Sequence, residues 1–339
     1  MPATNVPWPL PMTQWPTLWA SQMGVPGTDD NMGARLHCTG QVFYVDPNFP
    51  GASDARDGFE PTDPLLTVTA ALTKCEANRG DVIAVMHNGM WTYGDPTEDN
   101  YTPIQESVAV TVPGVRIVGV SPSGCLGVPW TTTAINSVCI TVTALDVLIE
   151  GFCFWNPDAY AGTTGILAQW NGPPWGENLT VRNNFFYHMA YGVQLDWSWN
   201  NFVEHNYFQG CTIAAIHNPS VYGEPDYLTI RNNVFTSNAA DLNLPDCEHE
   251  LIEGNRFMDA TAAIVVLAGD NNTIHDNTVQ GAPGGTNNYI NLTGGANNLV
   301  SANMLACTIV QYDVTCSDAG SGSWVGNLCT NGTATAPPV

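Results

Sequence analysis

Six stretches decide the fold: VRNNFF (Val181–Phe186), VEHNYF (Val203–Phe208), IRNNVF (Ile230–Phe235), IEGNRF (Ile252–Phe257), IHDNTV (Ile274–Val279) and VSANML (Val300–Leu305). Each opens on a β-branched residue, holds an asparagine in its fourth place and closes on an apolar residue. The asparagines, Asn184, Asn206, Asn233, Asn255, Asn277 and Asn303, are spaced by 22, 27, 22, 22 and 26 residues. A polar residue fixed between two apolar ones at this period marks the coil of a solenoid. Coils of parallel strands stack about 4.8 Å apart. The opening residues, from Ile117 and Ile149 through Val181, Val203, Ile230, Ile252 and Ile274 to Val300, then form one inward column. Phe154, Phe186, Phe208, Phe235, Phe257, Val279 and Leu305 form a second, largely aromatic one. The asparagines fall at the bend between the columns, where each amide can donate and accept along the stack and so be satisfied although buried.

The residue after each opening position points outward. In stack order these residues are Glu150, Arg182, Glu204, Arg231, Glu253 and His275. Acid and base alternate, so neighbours on adjacent strands pair across the ladder. Arg182 and Arg231 are read as register-setting surface groups.

Composition narrows the partners. The chain has 339 residues, 44% of them hydrophobic and 12% charged, with a net charge of −23 and one lysine, Lys74. Nothing basic is available to neutralise phosphates, which argues against nucleic acid and anionic membrane surfaces as partners. No apolar run is long enough to span a membrane. The first twenty residues show neither a basic n-region nor an unbroken apolar h-region, so no Sec signal peptide is expected. The ten cysteines lack metal-ligand spacing. They read as buried thiols, with disulfides among Cys307, Cys316 and Cys329 as the alternative.

Four segments are expected. Residues 1–36 carry Pro2, Pro7, Pro9, Pro11, Pro16 and Pro26 among Trp8, Trp15 and Trp19. Proline at that density blocks helix and ladder alike, and three tryptophans are costly to leave in water. This segment reads as an extended arm lying on another surface. Residues 37–105 hold an N-terminal strand, a helix that caps the open edge, and the first coil. That helix is expected to start at Asp63 with Pro64 in its first turn, bury Leu65, Val68, Leu72 and Cys75, and stop before Gly80. Residues 106–330 form the parallel β-helix, and 331–339 a flexible tail or extended contact strand. The expected fold class is all-β, a right-handed parallel β-helix solenoid with an N-terminal capping helix and a Pro/Trp-rich arm.

The segment DPNFPGASDARDGFEPTDPLLTVTAAL, followed by GDVIAV and GVRIVG, resembles the opening of pectate-lyase-like right-handed β-helix proteins. The asparagine-bearing coils resemble the repeat of the same superfamily, and together the two cover roughly residues 41–330. The resemblance implies the fold. It leaves function open among polysaccharide lyases, polygalacturonases, epimerases, phage tailspikes and non-enzymatic virion proteins.

Within the coils no NTD segment and no Asp–Asp pair occurs, so a polygalacturonase-like pair is missing. A lyase-like site lacks a carboxylate cluster beside Arg116 or Arg256. One outward column is expected to read Gln194, His217, Asn243, Val265, Asn291 and Gln311, an amide face with none of the paired carboxylates that glycoside hydrolysis needs. Asp196, Glu224, Asp226, Asp241, Asp246 and Glu248 are loop acids able to converge, and Asp196, Asp241 and Asp246 are the candidate catalytic residues. Trp155, Trp170, Trp175, Trp197 and Trp199 are expected to form one aromatic patch for subunit, partner or sugar contact. Asp54, Asp57 and Glu60 lack the ligand spacing of a calcium loop. No metal or cofactor is expected.

From these residues and the superfamily's habits, the favoured reading is a non-enzymatic virion structural protein: a capsid decoration, spike or tail fibre anchored by its arm. It would be homotrimeric, bind other virion proteins, and be made in the host cytoplasm before display on the particle. The alternatives are a tailspike-type polysaccharide depolymerase, hydrolase or lyase, and a non-catalytic module that binds host surface glycan.

Overall fold

The computed structural model describes residues 39–86, 103–120, 127–131, 134–156, 161–169, 176–219, 225–260, 265–267, 269–281, 290–292, 296–306, 317–318, 323–329 and 332–334. The Pro/Trp arm, with Trp8, Trp15 and Trp19, lies outside them, as do Trp170, Trp175 and Glu224.

The chain is a right-handed parallel β-helix. Its strands form three long sheets of 11, 10 and 9 strands, and each coil adds one strand to each sheet in turn. In one coil, Thr180–Arg182 lies in the first sheet, Phe185–Tyr187 in the second and Tyr191–Asp196 in the third. Pairing is parallel and in register from coil to coil. The exception is Gly332–Ala334, within the expected tail, which pairs antiparallel with Asn327–Cys329. No described helix is long and apolar enough to cross a membrane.

The core is laid out as the repeat requires. Ile117, Ile149, Val181, Val203, Ile230, Ile252, Ile274 and Val300 are buried in one column, extended by Trp324. Phe154, Phe186, Phe208, Phe235 and Phe257 stack with ring centroids 4.7–5.0 Å apart. That spacing is the coil rise, so the strand ladder itself sets the ring stack. Trp130 covers its upper end, with its indole N–H donating to the Glu106 carbonyl.

The six asparagines form one continuous file that Asn327 extends. Asn206, for example, accepts at Oδ1 from the Asn184 backbone N–H at 3.0 Å and the Asn184 amide at 3.2 Å. Its own amide donates to the Val181 carbonyl at 2.9 Å and to Asn233 Oδ1 at 3.1 Å. The pattern repeats to Asn327, whose Oδ1 accepts from Asn303. The residue before each ladder asparagine lies in the left-handed region. Asn183, His205, Asn232, Gly254 and Asp276 hold φ of 54°, 56°, 54°, 61° and 55°, which explains the Asn, Gly and Asp there.

The outward charge ladder forms as well. Arg182 Nε lies 2.7 Å from Glu150 Oε2, and Arg231 Nη2 lies 2.7 Å from Glu204 Oε2. His275 Nε2 lies 3.2 Å from Glu253 Oε2.

Three expectations need correction here. The helix spans Val68–Lys74 and is capped by Thr67, whose side chain accepts from the Ala70 N–H. Asp63 is not its cap, because Leu65 is drawn into a bridge with Val45 and holds the chain extended up to Thr67. Glu106 and Asp54 take the other N-terminal amides. Next, the strand register of the third sheet aligns Gln194, His217, Asn243, Val266, Asn291 and Ser317. A register one residue from that expected substitutes Val266 for Val265, and Ser317 stands in the place expected for Gln311, which lies outside the described residues. Finally, the described tryptophans of the expected patch, Trp155, Trp197 and Trp199, do not share one edge. Trp155 ends the strand Phe152–Trp155 on the second sheet and packs outward with Cys153 and Phe185. Trp197 and Trp199 sit in the turn from third to first sheet. The bend after Trp155 and the turn holding Trp197 are different edges of the triangular coil.

The cysteine reading fits the described thiols. Cys139, Cys153, Cys211 and Cys247 are buried and Cys75 is partly buried, all free. Cys307 and Cys316 lie outside the described residues.

Candidate functional site

The turn from third to first sheet has its own periodicity, set seven, six and five residues before each ladder asparagine. The first of these positions runs Glu177, Trp199, Asp226, Glu248, Asp270 and Ala296. Backbone hydrogen bonds stack them: Asn178 N–H to Trp199 O, Asn200 N–H to Asp226 O, Tyr227 N–H to Glu248 O, and His249 N–H to Asp270 O. The second position needs a left-handed backbone. Asn178, Asn200, Tyr227, His249, Asn271 and Asn297 hold φ of 56°, 56°, 58°, 62°, 61° and 59°. The third faces inward and carries a second amide file in part. Asn201 Oδ1 accepts from Leu179 N–H, Asn272 Oδ1 from Glu250 N–H, and Asn298 Oδ1 from Asn272 N–H.

Two adjacent coils depart from the pattern at the second and third positions. Where the left-handed position takes Asn elsewhere, it takes Tyr227 and His249, whose rings stack at 4.9 Å. Histidine is tolerated in this region, as at His205, but tyrosine is disfavoured, so the backbone at Tyr227 carries strain that a function can account for. Where the inward position takes Asn on the following coils, it takes Leu228 and then Glu250. In the first position Asp226 and Glu248 are joined by a parallel bridge. Asp226, Glu248 and His249 bring one donor atom each to within 4.8 Å of one another.

The electrostatics follow from burial. Glu250 is 1% exposed, and its carboxylate oxygens make no hydrogen bond of full geometry, the Leu228 N–H being the group that acts on them. Burial pushes its pKa well above the usual carboxylate range against the pull of the Leu228 N–H, and the Asp226 charge adds to the push. Asp226 is also raised by burial, with His249 opposing. Its Oδ1 is buried and unpartnered. Of the four buried side-chain oxygens without a partner among the described residues, three lie in this pair.

The three candidate catalytic acids are not brought together. Asp241 is wholly buried at the bend from second to third sheet. It accepts from the Asn238 amide at 2.8 Å, and burial raises its pKa to about 8. Facing the core, it cannot meet a substrate. Asp196 is buried at the end of Tyr191–Asp196, and Asp246 is exposed on the same edge two coils away. His217 stacks on Tyr191 with its Nδ1 3.1 Å from Asn243 O, a surface role. Asp54, Asp57 and Glu60 are spent on nearby amides and Thr62. Asp226 and Glu248 are among the loop acids read from sequence; His249 and Glu250 are not. The signal that finds them is the fixed offset from the ladder asparagines.

The comparisons with known proteins support this fold. The profile of the family described as "Periplasmic copper-binding protein (NosD)" matches residues 173–324, the coils that carry the asparagine file. No curated protein matches. Among solved structures, DFA-IIIase from Arthrobacter chlorophenolicus A6 in complex with GF2 is similar at a TM-score of 0.54 and 14% identity, over 84% of this chain and 79% of that one. The same enzyme without its lid gives 0.53 and 14%, over 84% and 80%. The chain shares the parallel β-helix fold of these structures. At this identity the likeness shows the fold alone. The solved structures named here are of an enzyme, DFA-IIIase, against the expected non-enzymatic virion protein, whose capsid, spike and fibre roles are left without support. The cluster at Asp226, Glu248 and His249 lacks the thiolates or thioethers that Cu⁺ takes, whereas its two carboxylates and imidazole are donors that Cu²⁺ accepts.

Proposed function

We propose that the protein is a carbohydrate-acting enzyme that cleaves a glycosidic bond at the turn between its third and first sheets, with Asp226 and Glu248 as the reacting carboxyls. The observation that carries this reading is the approach of the two groups, on adjacent coils, to within 4.8 Å. Glycoside hydrolysis needs two carboxyls flanking the bond, and a short separation of about 5 Å goes with the double-displacement route that retains configuration. Asp226, with one oxygen buried, is suited to hold a proton and give it to the leaving oxygen. Glu248 attacks the anomeric carbon, the bond to the leaving oxygen breaks, and a glycosyl ester forms. Asp226 then takes a proton from water, the resulting hydroxide displaces Glu248, and both carboxyls return to their starting states.

Trp199 precedes Asp226 by one coil in the same column, about 4.8 Å along the axis. An indole there can stack a sugar ring next to the cleaved bond. The fold shared with DFA-IIIase agrees with a carbohydrate substrate and names none. The test is a panel of neutral and acidic oligosaccharides screened for new reducing ends, with the first-formed anomer read by proton NMR. Retained configuration is expected, and Trp199→Ala should raise KM about tenfold with a smaller change in kcat. An inverted product would sink the roles assigned to Asp226 and Glu248. A panel without turnover by the folded protein would sink the enzyme reading.

A further inference from the structure

We propose that Tyr227 and His249 are positioning residues for the reacting carboxyls: the tyrosine ring clamps the imidazole beside Asp226 and Glu248, and the imidazole orients Glu248 for attack. This inference rests on the reaction proposed above and adds the device that aligns it. The case begins at the left-handed position of the turn. The coil before the pair holds Asn200 there, and the two coils after it hold Asn271 and Asn297, at φ of 56°, 61° and 59°. Asparagine tolerates this backbone, and tyrosine does not. Tyr227 nevertheless holds φ of 58°, and burial does not offset the strain, because the residue is 55% exposed. What the ring gains is a contact with His249 on the next coil, with centroids 4.9 Å apart and planes 15° from parallel. That spacing is about the 4.8 Å rise of one coil. Backbone bonds fix both levels: Tyr227 N–H donates to the Glu248 carbonyl at 3.2 Å, and His249 N–H to the Asp270 carbonyl at 3.1 Å.

The stacked imidazole has an object. A ring nitrogen of His249 and one oxygen each of Asp226 and Glu248 all lie within 4.8 Å of one another. His249 is exposed, and an exposed side chain left to itself exchanges among rotamers. A ring held against one face restricts that exchange and keeps the nitrogen beside the carboxyls. When a glycan seats, contacts of this kind close to hydrogen-bond length. The imidazole N–H then takes one oxygen of Glu248 and leaves the other aimed at the anomeric carbon. Its charge also moderates the crowding of acids: burial raises the pKa of Asp226, and His249 opposes that rise. Alignment of this sort counts heavily in rate, since a misplacement of about 1 Å can cost about 100-fold.

The experiment uses the full chain in two arms. The first needs no glycan: proton NMR at fixed pH on wild type, Tyr227→Asn, Tyr227→Phe and His249→Asn, the last to assign the His249 ring signals. Those signals should lie upfield in wild type, under the ring current of Tyr227, stay there in Tyr227→Phe and return to ordinary positions in Tyr227→Asn. Ring signals unmoved by Tyr227→Asn would overturn the proposal whether or not any glycan is cleaved. The second arm measures kcat and KM on an oligosaccharide that the wild-type protein cleaves. His249→Asn and Tyr227→Asn introduce the residue that neighbouring coils carry at this position, so both should fold, as circular dichroism would confirm. Each should lose about 10–100-fold in kcat with KM within about twofold. Tyr227→Phe should restore most of what Tyr227→Asn loses. His249→Gln, whose longer amide presents an N–H to Glu248, should restore part of what His249→Asn loses. His205→Asn, at an exposed left-handed histidine on the other edge, should change neither constant. Full kcat in folded His249→Asn would overturn the positioning role and leave the reaction standing. A protein that shows the stack but cleaves no glycan would overturn the reaction itself, and the role with it.

Discussion

The two edges that flank the first sheet are built by the same rule and put to different uses. At the edge that leads to the second sheet, asparagine follows asparagine from Asn184 to Asn327 without a break, each amide satisfied by the coils on either side. At the opposite edge the same amide stacking begins at Asn201 and resumes at Asn272, but is interrupted at Leu228 and Glu250. The first edge has no buried side-chain polar atom without a full hydrogen bond among its described residues, whereas the second holds three. A repeat that satisfies itself is structural. Where it departs from its own pattern in two positions at once, on neighbouring coils, stability has been given up for something else.

Breaking the regular edge should have the largest effect. Asn233→Leu removes the acceptor of the Asn206 backbone and side-chain N–H groups and the donor to Val203 O. Leaving several buried groups unpaired should cost about 3–5 kcal/mol, read as a lower midpoint in urea; a loss under about 1 kcal/mol would show that the file is incidental. The next effect depends on pH. Asp241 has a folded pKa of about 8, above the roughly 3.9 of an unfolded aspartate. The folded state therefore holds the proton more tightly, and the stability linked to it is complete below about pH 4 and is lost as pH rises through 8. Asp241→Asn should flatten that decline in thermal scans between pH 4 and 8, and an unchanged slope would contradict it. The smallest effect restores regularity at the irregular edge. Glu250→Asn should let a side-chain amide join Asn272 in the inner file and raise stability at pH 7 by about 1 kcal/mol, whereas a loss would mean that Glu250 has a structural partner.

Much of the fold is legible in the sequence because the asparagine spacing sets register by itself. Once Asn184 and Asn206 are stacked, the Phe186–Phe208 ring pair and the Arg182–Glu204 neighbours follow by counting. Regions of variable turn length are harder. Between the second sheet and the next ladder asparagine, coils differ by up to five residues (22 against 27). Counting along the third-sheet column therefore slips by one residue at Val266, and it groups Trp155 with tryptophans on another edge. Asp241 reads as a loop acid because nothing in its local sequence reports that Asn238 folds back to cover it. The pair at Asp226 and Glu248 is nearer to hand, since both stand seven residues before a ladder asparagine, Asn233 and Asn255. Counting backward from the asparagines reveals the site, whereas counting forward reveals only the core.

The most direct test of the central claim, that the interrupted edge is the reacting centre, is the turnover of Asp226→Asn and Glu248→Gln on whichever oligosaccharide the wild-type protein cleaves. Both variants should keep their fold, and each should lose at least about a thousandfold in kcat, in line with removal of a reacting carboxyl. Near-wild-type turnover by either folded variant would place the chemistry elsewhere on the solenoid.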